Sequence, residues 1–466
     1  MARVLLLNPP GRSPYLRDYY CSKVAKAAYL YEPTDLLVLS GLLAEENRVQ
    51  VLDCIAEKIR AEAALRRIAG LEPEAVVFLS GAVSWPEDRV FLEKLKRLTG
   101  AALIGSGDLF LEGSEQFLRD HWFLDALLLD FTSDDLVHYL RGEAGKLLPS
   151  IVYRRGGEIV SASLRRPQRG TYQIPPPRHD LFPHRHYRYP TVRRRPFATV
   201  LTDYGCPYSC RFCVMATLGY KVRPVANVVE ELGGLARKGF REIYFNDQTF
   251  GALRERALEL CRAMERFCLG WQGWTRVDLV DEEILAAYRA AGCHSLLFGV
   301  ESANPQTLAA QKKGYGPEQA RRAFSLCREF GIRTLATFII GLPGETEDHI
   351  HRSIDFALEL EPDFASFNVL VPRAGTEVRR EALTGGWIKG DGARLDQSGT
   401  VAVTGSDVLS AETVHRLKSL AMRRFYGRAQ YWRQRFRQLP TPAELECHAR
   451  SGVEVLRKLL LARGIP

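Results

Sequence analysis

Residues 203–213 of this 466-residue chain read Asp-Tyr-Gly-Cys-Pro-Tyr-Ser-Cys-Arg-Phe-Cys. The stretch puts Cys206, Cys210 and Cys213 on one short loop in the spacing Cys-x3-Cys-x2-Cys, with Phe212 directly before the third cysteine. A cubane iron–sulfur cluster normally takes four thiolate ligands, so a loop with three cysteines leaves one iron open to a further ligand. The stretch therefore predicts a [4Fe-4S] cluster at which chemistry can begin.

Two other interpretations of the three cysteines are a zinc site and a set of unrelated buried thiols. Structural zinc takes four ligands, usually as two well-separated pairs, and no paired Cys or His knuckle follows the loop. The remaining cysteines are scattered singly, so we expect small buried side chains and no second cluster. They are Cys21, Cys54, Cys261, Cys268, Cys293, Cys327 and Cys447.

Composition narrows the class of protein. The chain has a formal net charge of +9 and is 46% hydrophobic, which is ordinary for a folded enzyme of two or three domains. It shows no N-terminal signal peptide and no apolar run long enough to span a bilayer, so we expect a reduced, cytoplasmic protein without a transmembrane segment. The charge permits an anionic substrate, a nucleic acid or a membrane surface without selecting among them.

The stretch 422–437 near the C-terminus interleaves basic and aromatic residues. That composition can bind a nucleic acid or a membrane surface. More often it forms an amphipathic helix whose apolar face packs on the core and whose arginines face water. We favour the helix and do not expect a nucleic-acid partner.

The first 148 residues alternate short apolar runs with helix-length amphipathic segments. This alternation predicts an α/β domain with a doubly wound, Rossmann-like parallel sheet. A ligand of such a sheet lies beyond the carboxyl ends of the strands, so the loops at those ends matter most. These loops are residues 8–10, 80–85, 105–110 and 130–133.

Three further regions follow along the chain. Residues 149–195 are rich in Pro, Arg, His and Tyr and predict a linker. Residues 196–395 contain six strand–helix units, which predict a partial, open (β/α)6 barrel with its site at the carboxyl ends of the strands. The cysteine loop follows the first of these strands, as that geometry requires. Residues 396–466 predict a helical and basic C-terminal region.

Five further motifs follow the later strands of the predicted barrel. They are Phe245-Asn-Asp-Gln-Thr-Phe250, Trp274-Thr-Arg-Val-Asp278, Phe298-Gly-Val-Glu-Ser-Ala-Asn304, Ile339-Ile-Gly-Leu-Pro-Gly-Glu-Thr346 and Val371-Pro-Arg-Ala-Gly-Thr-Glu377. With the cysteine loop they resemble the radical S-adenosylmethionine (SAM) family, most closely the branch in which a cobalamin-binding domain precedes the radical core. The resemblance implies that SAM chelates the open iron through its amino and carboxylate groups. An electron donor such as flavodoxin or ferredoxin would then release a 5′-deoxyadenosyl radical.

The resemblance also implies residues that bind SAM. Phe212 is one of them, and Asn246 and Asp247 would lie near the SAM amino group, because their side-chain oxygens accept hydrogen bonds from an ammonium group. The alternative for Asp247 is a helix cap or a turn.

Three more of the later motifs contribute to the implied SAM site. Arg276 suits the SAM carboxylate or the substrate, or a structural ion pair with Asp278. Glu301 is implied to bind the SAM ribose or amine, because packing alone is a poor explanation for a charged residue directly after an apolar strand. Gly341 and Gly344 would let the backbone approach the adenosyl group closely, and Pro343 in the same turn is a further implied SAM position.

For the N-terminal domain the resemblance implies cobalamin. Small residues at the ends of the third and fourth strands would leave room for its nucleotide tail. The implied positions are Pro9, Ser80, Val83, Ser84, Gly105, Ser106 and Gly107.

Departures from the family pattern leave the cobalamin assignment open. Relatives often supply a histidine under the cobalt from the loop after the first strand, whereas the first histidine here is His121. Relatives commonly carry Gly-Gly-Pro-His where this chain has Gly105-Ser-Gly-Asp108, and Gly-Glu-Gly-Glu where it has Asp130-Phe-Thr-Ser-Asp-Asp135. The alternative is a doubly wound domain that has kept its shape and lost the cofactor.

The function implied by the resemblance is a cobalamin-dependent radical SAM methyltransferase. It would act on an unactivated carbon of a small-molecule, lipid or peptide substrate, and the sequence names neither that substrate nor a catalytic residue. A cyclase, oxidase or rearrangement enzyme of the same architecture is the first alternative, and a non-catalytic iron–sulfur redox module is the second. A methylthiotransferase that modifies nucleic acid is disfavoured, because the N-terminal segment lacks the further cysteine triad such enzymes need.

Overall fold

The computed structural model describes residues 1–26, 29–143, 147–162, 168–388, 396–400, 403–437, 441–442 and 444–446. The chain forms two compact units. One comprises Met1–Val24 with Glu32–His186, and the other comprises Ala25–Tyr31 with Tyr187–Pro466. Much of the predicted C-terminal region beyond residue 437, with Cys447, lies outside the described residues.

The first unit is a doubly wound sheet with helices in its connections. Its strands are β1 (Arg3–Asn8), β2 (Tyr15–Leu16), β3 (Lys23–Val24), β4 (Arg48–Asp53), β5 (Ala75–Leu79), β6 (Ala102–Ser106), β7 (Ala126–Leu128), β8 (Ile151–Arg155), β9 (Glu158–Ser161) and β10 (Gln168–Thr171). Its helices are α1 (Thr34–Ala44), α2 (Ala61–Leu71), α3 (Trp85–Thr99), α4 (Ser114–Asp120) and α5 (Asp135–Leu140).

Seven of these strands form one sheet in the order β4-β1-β5-β6-β7-β8-β9. The first five run parallel, and β8 and β9 are antiparallel additions. The winding reverses at β1, which has β4 on one side and β5 on the other. This is the flavodoxin-like order, and its ligand crevice lies outside the carboxyl ends of the strands at the switch point. The sequence prediction of a doubly wound parallel sheet is confirmed.

Burial explains the apolar runs of this sheet. Residues 4–8 of β1 and all of β5 are buried, as expected for parallel strands covered on both faces. The strands β8, β9 and β10 lie in the region predicted as a linker. They are short, and β8 and β9 end in charged or partly exposed residues, so they lack the long apolar pattern that marks the parallel strands.

The second unit is an open barrel. Its strands are β11 (Phe197–Val200), β12 (Asp203–Gly205), β13 (Gly219–Val222), β14 (Glu242–Phe245), β15 (Gly270–Thr275), β16 (Cys293–Glu301), β17 (Arg333–Ile340) and β18 (Phe364–Val369). Its helices are α6 (Met215–Leu218), α7 (Val225–Arg237), α8 (Arg254–Met264), α9 (Glu282–Ala290), α10 (Pro305–Ala310), α11 (Pro317–Glu329), α12 (Glu347–Glu359), α13 (Glu377–Thr384), α14 (Ala411–Tyr426) and α15 (Ala429–Arg437).

Six strands of the second unit pair in sequence order, β11-β14-β15-β16-β17-β18, and all five pairings are parallel. This is the predicted partial (β/α)6 barrel. Because every strand runs the same way, the loops after the strands gather at one end of the barrel, where sites of such folds lie. The cysteine loop comes after β11 by way of the short strand β12, which pairs with β13 outside the six-stranded sheet. Each of the five later motifs follows a strand of the barrel.

The basic, aromatic stretch near the C-terminus is helical, as favoured above. Helix α14 packs against β18 and α12, and its buried residues recur every three or four positions. Phe425 and Tyr431 join the core of the second unit. The described part of the chain contains no helix that is both long and apolar enough to cross a membrane.

Candidate functional site

The cysteine loop leaves β12 and returns through α6 to β13, and a glycine sets its start. Gly205 has φ +78°, and a Cβ at this position would lie 1.9 Å from the carbonyl oxygen of Gly219. Only glycine accepts both the left-handed backbone and this close approach. The N–H of Cys206 donates to the same carbonyl (3.1 Å), so the first cysteine is fixed by the β12–β13 hairpin.

The three thiols lie at the barrel end in a partly buried setting. The Sγ of Cys206 is 3.5 Å from the hydroxyl of Thr249, and the N–H of Cys213 donates to the carbonyl of Cys210 (3.1 Å). Burial raises the pKa of the Cys206 thiol, and nearby Cys210 adds to the effect. A buried thiol of this kind needs a bound cation to remain a thiolate. The loop therefore fits a metal cluster.

Arg211 anchors the middle of the cysteine loop. Its backbone N–H donates to the carbonyl of Gln311 (3.2 Å), and its side chain donates to the Glu377 carboxylate (2.9 Å) and the Ala310 carbonyl (3.2 Å). A second acidic group, Glu381, also pairs with the guanidinium. These bonds tie the loop to α10 and α13, so the cysteines hold their positions through contacts on both sides.

A buried ion pair lies beside the loop. The ammonium group of Lys313 is 2.8 Å from the Glu301 carboxylate and 5.7 Å from the ring of Phe212. Burial acts to lower the pKa of Lys313, but the charge of Glu301 outweighs it and holds that pKa well above its ordinary value. A charged ammonium group therefore lies next to the residue that precedes the third cysteine.

Glu301 ends β16 in a strained conformation. Its φ is +67°, which a residue with a side chain rarely adopts, and the pairing with β17 is irregular between Gly299 and Glu301. A Cβ at Gly299 would lie 2.4 Å from the Glu301 carboxylate. Such strain persists only where the surroundings impose it and is concentrated at functional sites. The sequence prediction marked Glu301 and missed Lys313.

Arg276 forms the structural ion pair that the sequence allowed. Its guanidinium donates to both oxygens of Asp278 (2.9 and 2.8 Å) and to the carbonyl of Lys313 (2.7 Å). It also lies over the ring of Tyr208, 3.7 Å from the ring centre, inside the cysteine loop. The residue therefore holds the loop against the end of β15. Its assignment to SAM stays a prediction.

Asn246 and Asp247 follow β14, as predicted, and are buried there. The Asp247 carboxylate accepts hydrogen bonds from the N–H and hydroxyl of Thr202 (both 2.6 Å) and from the N–H of Asp203 (3.1 Å). Both oxygens thus hold the segment that leads into the cysteine loop. This is the turn role that the sequence left open, and contact with the SAM amino group stays a prediction for both residues.

Asp203 is a site residue that the sequence prediction missed. It lies three positions before Cys206 and is buried, and its carboxylate accepts a hydrogen bond from the Tyr220 hydroxyl (3.2 Å). Burial raises the pKa of Asp203 well above its ordinary value, and the neighbouring Asp247 raises it further. Two carboxylates this close cannot easily both be ionised, so we assign the proton to Asp203, which has no backbone donors of the kind that Asp247 has.

The loop after β17 is closed by Glu345. Its carboxylate accepts hydrogen bonds from the N–H groups of Gly341 (3.2 Å) and Leu342 (3.1 Å) and from the hydroxyl of Ser302 (2.9 Å). Gly341 has φ +88°, and Pro343 lies within the same turn. Burial raises the pKa of Glu345 to about 7. The loop after β16, which follows Glu301, and the loop after β17, which is predicted to approach the adenosyl group, are thus linked through one buried acid.

The residues predicted for cobalamin lie together at the carboxyl edge of the first sheet, around a buried ion pair. Arg17 lies 2.6 Å from Asp88 and donates to the carbonyl of Pro9 (2.8 Å). The hydroxyls of Ser80 and Ser84 both donate to Asp88 (2.8 and 2.6 Å). The Pro9 carbonyl and the two serine hydroxyls, which were predicted to contact cobalamin, therefore already form hydrogen bonds with other protein groups.

The glycines of this edge are needed for close packing. Gly107 has φ +145°, and a Cβ there would lie 1.8 Å from the carbonyl oxygen of Ser80. A Cβ at Gly105 would lie 2.8 Å from the ring of Phe110. The small side chains thus serve contacts between neighbouring loops. The other predicted positions, both fully buried, are Val83 and Ser106.

A narrow crevice remains at this edge, lined in part by Arg17, Ser80 and Gly107, and it leaves no room for even a water-sized molecule. Small-molecule sites usually enclose roughly 300–1,000 Å³, so the crevice as it stands does not accommodate cobalamin. The β2–β3 hairpin narrows it, with the Ser22 hydroxyl donating to Asp108 (2.7 Å). Residues 15–24 would have to move for a corrinoid to bind here.

Comparison with known proteins matches the barrel region to one family. The Radical SAM superfamily model matches residues 200–357, which include the cysteine loop and four of the five later motifs in full. An uncharacterized methyltransferase of Pyrococcus horikoshii is 29% identical over 393 residues, covering 82% of this chain and 83% of the relative.

Two solved structures share the fold. One is the radical SAM methyltransferase TsrM from Kitasatospora setae, solved with cobalamin and a [4Fe-4S] cluster. It is 22% identical, with a TM-score of 0.66, and the alignment covers 84% of this chain and 79% of the TsrM chain. The cobalamin-dependent SAM radical enzyme OxsB is 19% identical, with a TM-score of 0.58. Its alignment covers 76% of this chain and 52% of the OxsB chain. Residues 200–357 of this chain thus match the Radical SAM superfamily, and the chain shares its fold with the cobalamin-dependent radical SAM enzymes TsrM and OxsB.

Proposed function

We propose that the chain is a cobalamin-dependent radical SAM methyltransferase that acts on an unactivated carbon of an organic substrate. The observation that carries the proposal is the cysteine loop at the carboxyl end of the partial barrel, with the Lys313–Glu301 pair beside it. The methyltransferase name of the Pyrococcus horikoshii relative and the shared fold with TsrM support the methyl-transfer part.

The buried pair suits the amino-acid end of SAM. That end carries an ammonium and a carboxylate group side by side, and Glu301 and Lys313 offer the opposite charges 2.8 Å apart. We assign the SAM carboxylate to Lys313 and its ammonium group to Glu301. Both side chains are buried, so their charges act in a medium of low dielectric, where such contacts are stronger than in water.

A [4Fe-4S] cluster on Cys206, Cys210 and Cys213 would supply the electron that cleaves SAM. The protein's own contribution is to position the reactants. Arg276 and Arg211 hold the cysteine loop from two sides, and Glu345 closes the loops after β16 and β17. A rigid, buried site keeps water away from a reactive radical. A flavodoxin or ferredoxin in a reducing cytoplasm would deliver the electron.

The cluster and SAM part is tested with reduced, cluster-loaded protein. We expect 5′-deoxyadenosine when dithionite and SAM are added, and no product from Cys210→Ala. Cys268→Ala is the matched control, because this cysteine is exposed and outside the loop, and it should retain the activity. A wild-type protein that holds a cluster and forms no deoxyadenosine would favour a redox module instead.

The methyl-transfer part needs a separate measurement. Protein purified anaerobically with hydroxocobalamin should retain a corrinoid by its visible spectrum. Once a low-potential reductant such as titanium(III) citrate has reduced the cobalt to Co(I), SAM labelled in its methyl group should yield labelled corrinoid and S-adenosylhomocysteine. Cobalamin would serve as the methyl carrier. If no corrinoid is retained while deoxyadenosine still forms, the chain is a radical SAM cyclase, oxidase or rearrangement enzyme.

A further inference from the structure

Three side chains with metal-ligating atoms meet in the first unit, separate from the cysteine loop. They are Glu32, His179 and His184, and their donor atoms all lie within 4.8 Å of one another. The Nδ1 atoms of His179 and His184 lie 3.0 and 3.6 Å from the same oxygen of Glu32. Glu32 and His179 are fully buried and the His184 side chain is 16% exposed. Among the described residues this is the one such group.

Backbone contacts between two segments position these side chains. Glu32 directly precedes Pro33 at the start of α1, and the histidines lie on the segment that follows β10. The N–H of Arg178 donates to the hydroxyl of Ser40 on α1 (2.9 Å). Gly41 of the same helix lies so close that a Cβ there would be 2.5 Å from the carbonyl oxygen of Pro175. The segment is thus fixed against α1, and the site is preformed.

One hydrogen bond orients the ring of His184 for metal binding. Its Nε2 lies 2.6 Å from the carbonyl oxygen of His179, and because a carbonyl only accepts, Nε2 is the donor. The other ring nitrogen, Nδ1, lies 3.6 Å from the Glu32 carboxylate. Metal-bound histidines characteristically donate their other N–H to a backbone carbonyl in this way.

The spacing of the donors suits a small tetrahedral ion. Ligands at about 2.0–2.1 Å from a tetrahedral Zn²⁺ are roughly 3.3 Å apart, and the two measured separations, 3.0 and 3.6 Å, bracket that value. Calcium and magnesium prefer oxygen ligands, whereas two imidazoles and one carboxylate suit zinc and similar divalent metals. A water molecule can complete the coordination.

We propose that Glu32, His179 and His184 bind one divalent transition metal, with Zn²⁺ as the expected occupant, and thereby fasten the segment after β10 to the start of α1. This proposal does not rest on the proposed function, so the failure of either proposal leaves the other standing. A metal that binds only the folded state stabilises that state.

The test measures metals in cluster-loaded protein from cells grown with added zinc. We expect about one zinc per chain after desalting. X-ray absorption at the zinc edge should show nitrogen and oxygen ligands at about 2.0–2.1 Å and no sulfur at about 2.3 Å. A sulfur shell would place the zinc on the cysteine loop and overturn the proposal. So would the absence of zinc, manganese, cobalt, nickel and copper from the protein.

Variants locate the metal. Glu32→Gln and His184→Gln should each reduce the zinc content at least tenfold. His186→Gln is the matched control, because this histidine lies two positions away and outside the triad, and it should keep the zinc. If the triad variants do not fold, the wild type still decides: a chelator should lower the Tm and Zn²⁺ should restore it. A Tm unmoved by complete removal of zinc would exclude the fastening role, and retention of zinc in the triad variants would exclude the site.

Discussion

Single residues of the barrel site carry charges that the fold has to balance. Lys313 lies twelve positions after Glu301, and the two meet only because the chain turns back after α10. The strand-end position marked Glu301 in the sequence, whereas nothing local marked Lys313, since lysines are common on surfaces. Asp203 and Glu345 were missed for the same reason: their burial and partners come from distant segments.

The Lys313–Glu301 pair predicts a distinct pattern of variants. Lys313→Met should destabilise the protein by about 3–5 kcal/mol, because it leaves a buried carboxylate without its partner. The double variant Lys313→Met/Glu301→Gln should recover most of that stability in urea unfolding, since no uncompensated charge remains. It should still form no deoxyadenosine. Full activity in the double variant would show that the pair is only structural.

If Asp203 is protonated in the folded protein, its stability and its variants should behave as those of a neutral acid. Because its pKa is raised well above the ordinary value, its contribution to stability is complete below the ordinary pKa and is lost as the pH rises through the folded pKa. Asp203→Asn resembles the protonated acid and should keep the cluster content. Asp203→Ala, which leaves the Tyr220 hydroxyl without its acceptor, should reduce the iron per chain. Equal loss of iron in both variants would contradict a protonated Asp203.

Glu345 predicts a pH dependence in a measurable range. Its pKa is about 7 in the folded protein against an ordinary 4.5, so its stabilising contribution is present below pH 4.5 and is lost as the pH rises through 7. At 1.36 kcal/mol for each unit of pKa, the loss between pH 5 and 8 is roughly 2–3 kcal/mol. Urea unfolding of the wild type should show this decline relative to Glu345→Gln. Parallel pH curves for the two proteins would contradict it.

At the scale of elements, the sequence predicted the parallel strands well. The strands at β14, β16 and β17 lie within one or two residues of their apolar runs, because buried parallel strands need continuous apolar sequence. The β12–β13 hairpin was not predicted. Its strands are three and four residues long and mostly polar, and their pairing depends on the close approach of Gly205 to Gly219.

That hairpin predicts a strict need for glycine at its corner. Gly205→Ala should lower the iron per chain and the Tm, because its Cβ would lie 1.9 Å from a carbonyl oxygen in a left-handed backbone. Gly234→Ala is the control. Gly234 lies inside α7 with a clear position for a Cβ, so the change should stabilise the protein by about 0.5–1 kcal/mol. Cluster loss in the control and not in Gly205→Ala would contradict this role of the hairpin.

At the scale of the whole molecule, the two domain types could be predicted and the path of the chain between them could not. Residues 25–31 belong to the second unit, although the sequence on both sides of them belongs to the first. The ammonium group of Lys26 donates to the Ser366 hydroxyl (3.0 Å), the Phe367 carbonyl (2.6 Å) and the Asn368 side chain (2.6 Å). No local pattern in residues 25–31 predicts partners at β18.

Lys26 predicts that a residue near the N-terminus stabilises the last barrel strand. Lys26→Met should destabilise the second unit by about 1–3 kcal/mol, because it leaves buried acceptors of β18 without a donor. Hydrogen exchange should become faster at residues 364–369. The same change at Lys23, in β3 of the first unit, is the control and should leave β18 protected. Unchanged exchange in Lys26→Met would contradict the prediction.

The early position of residues 25–31 in the sequence, together with their place in the second unit, has a consequence for synthesis on the ribosome. Lys26 emerges 340 positions before Ser366, its hydrogen-bond partner, and translation at about 5–20 residues per second makes that interval roughly 20–70 s. Until β18 is made, the early segment has no strand to dock on, whereas the first unit is complete once residue 186 has emerged. A nascent chain of this protein therefore has a built-in delay, and chaperones that shield the segment should raise the yield of active enzyme.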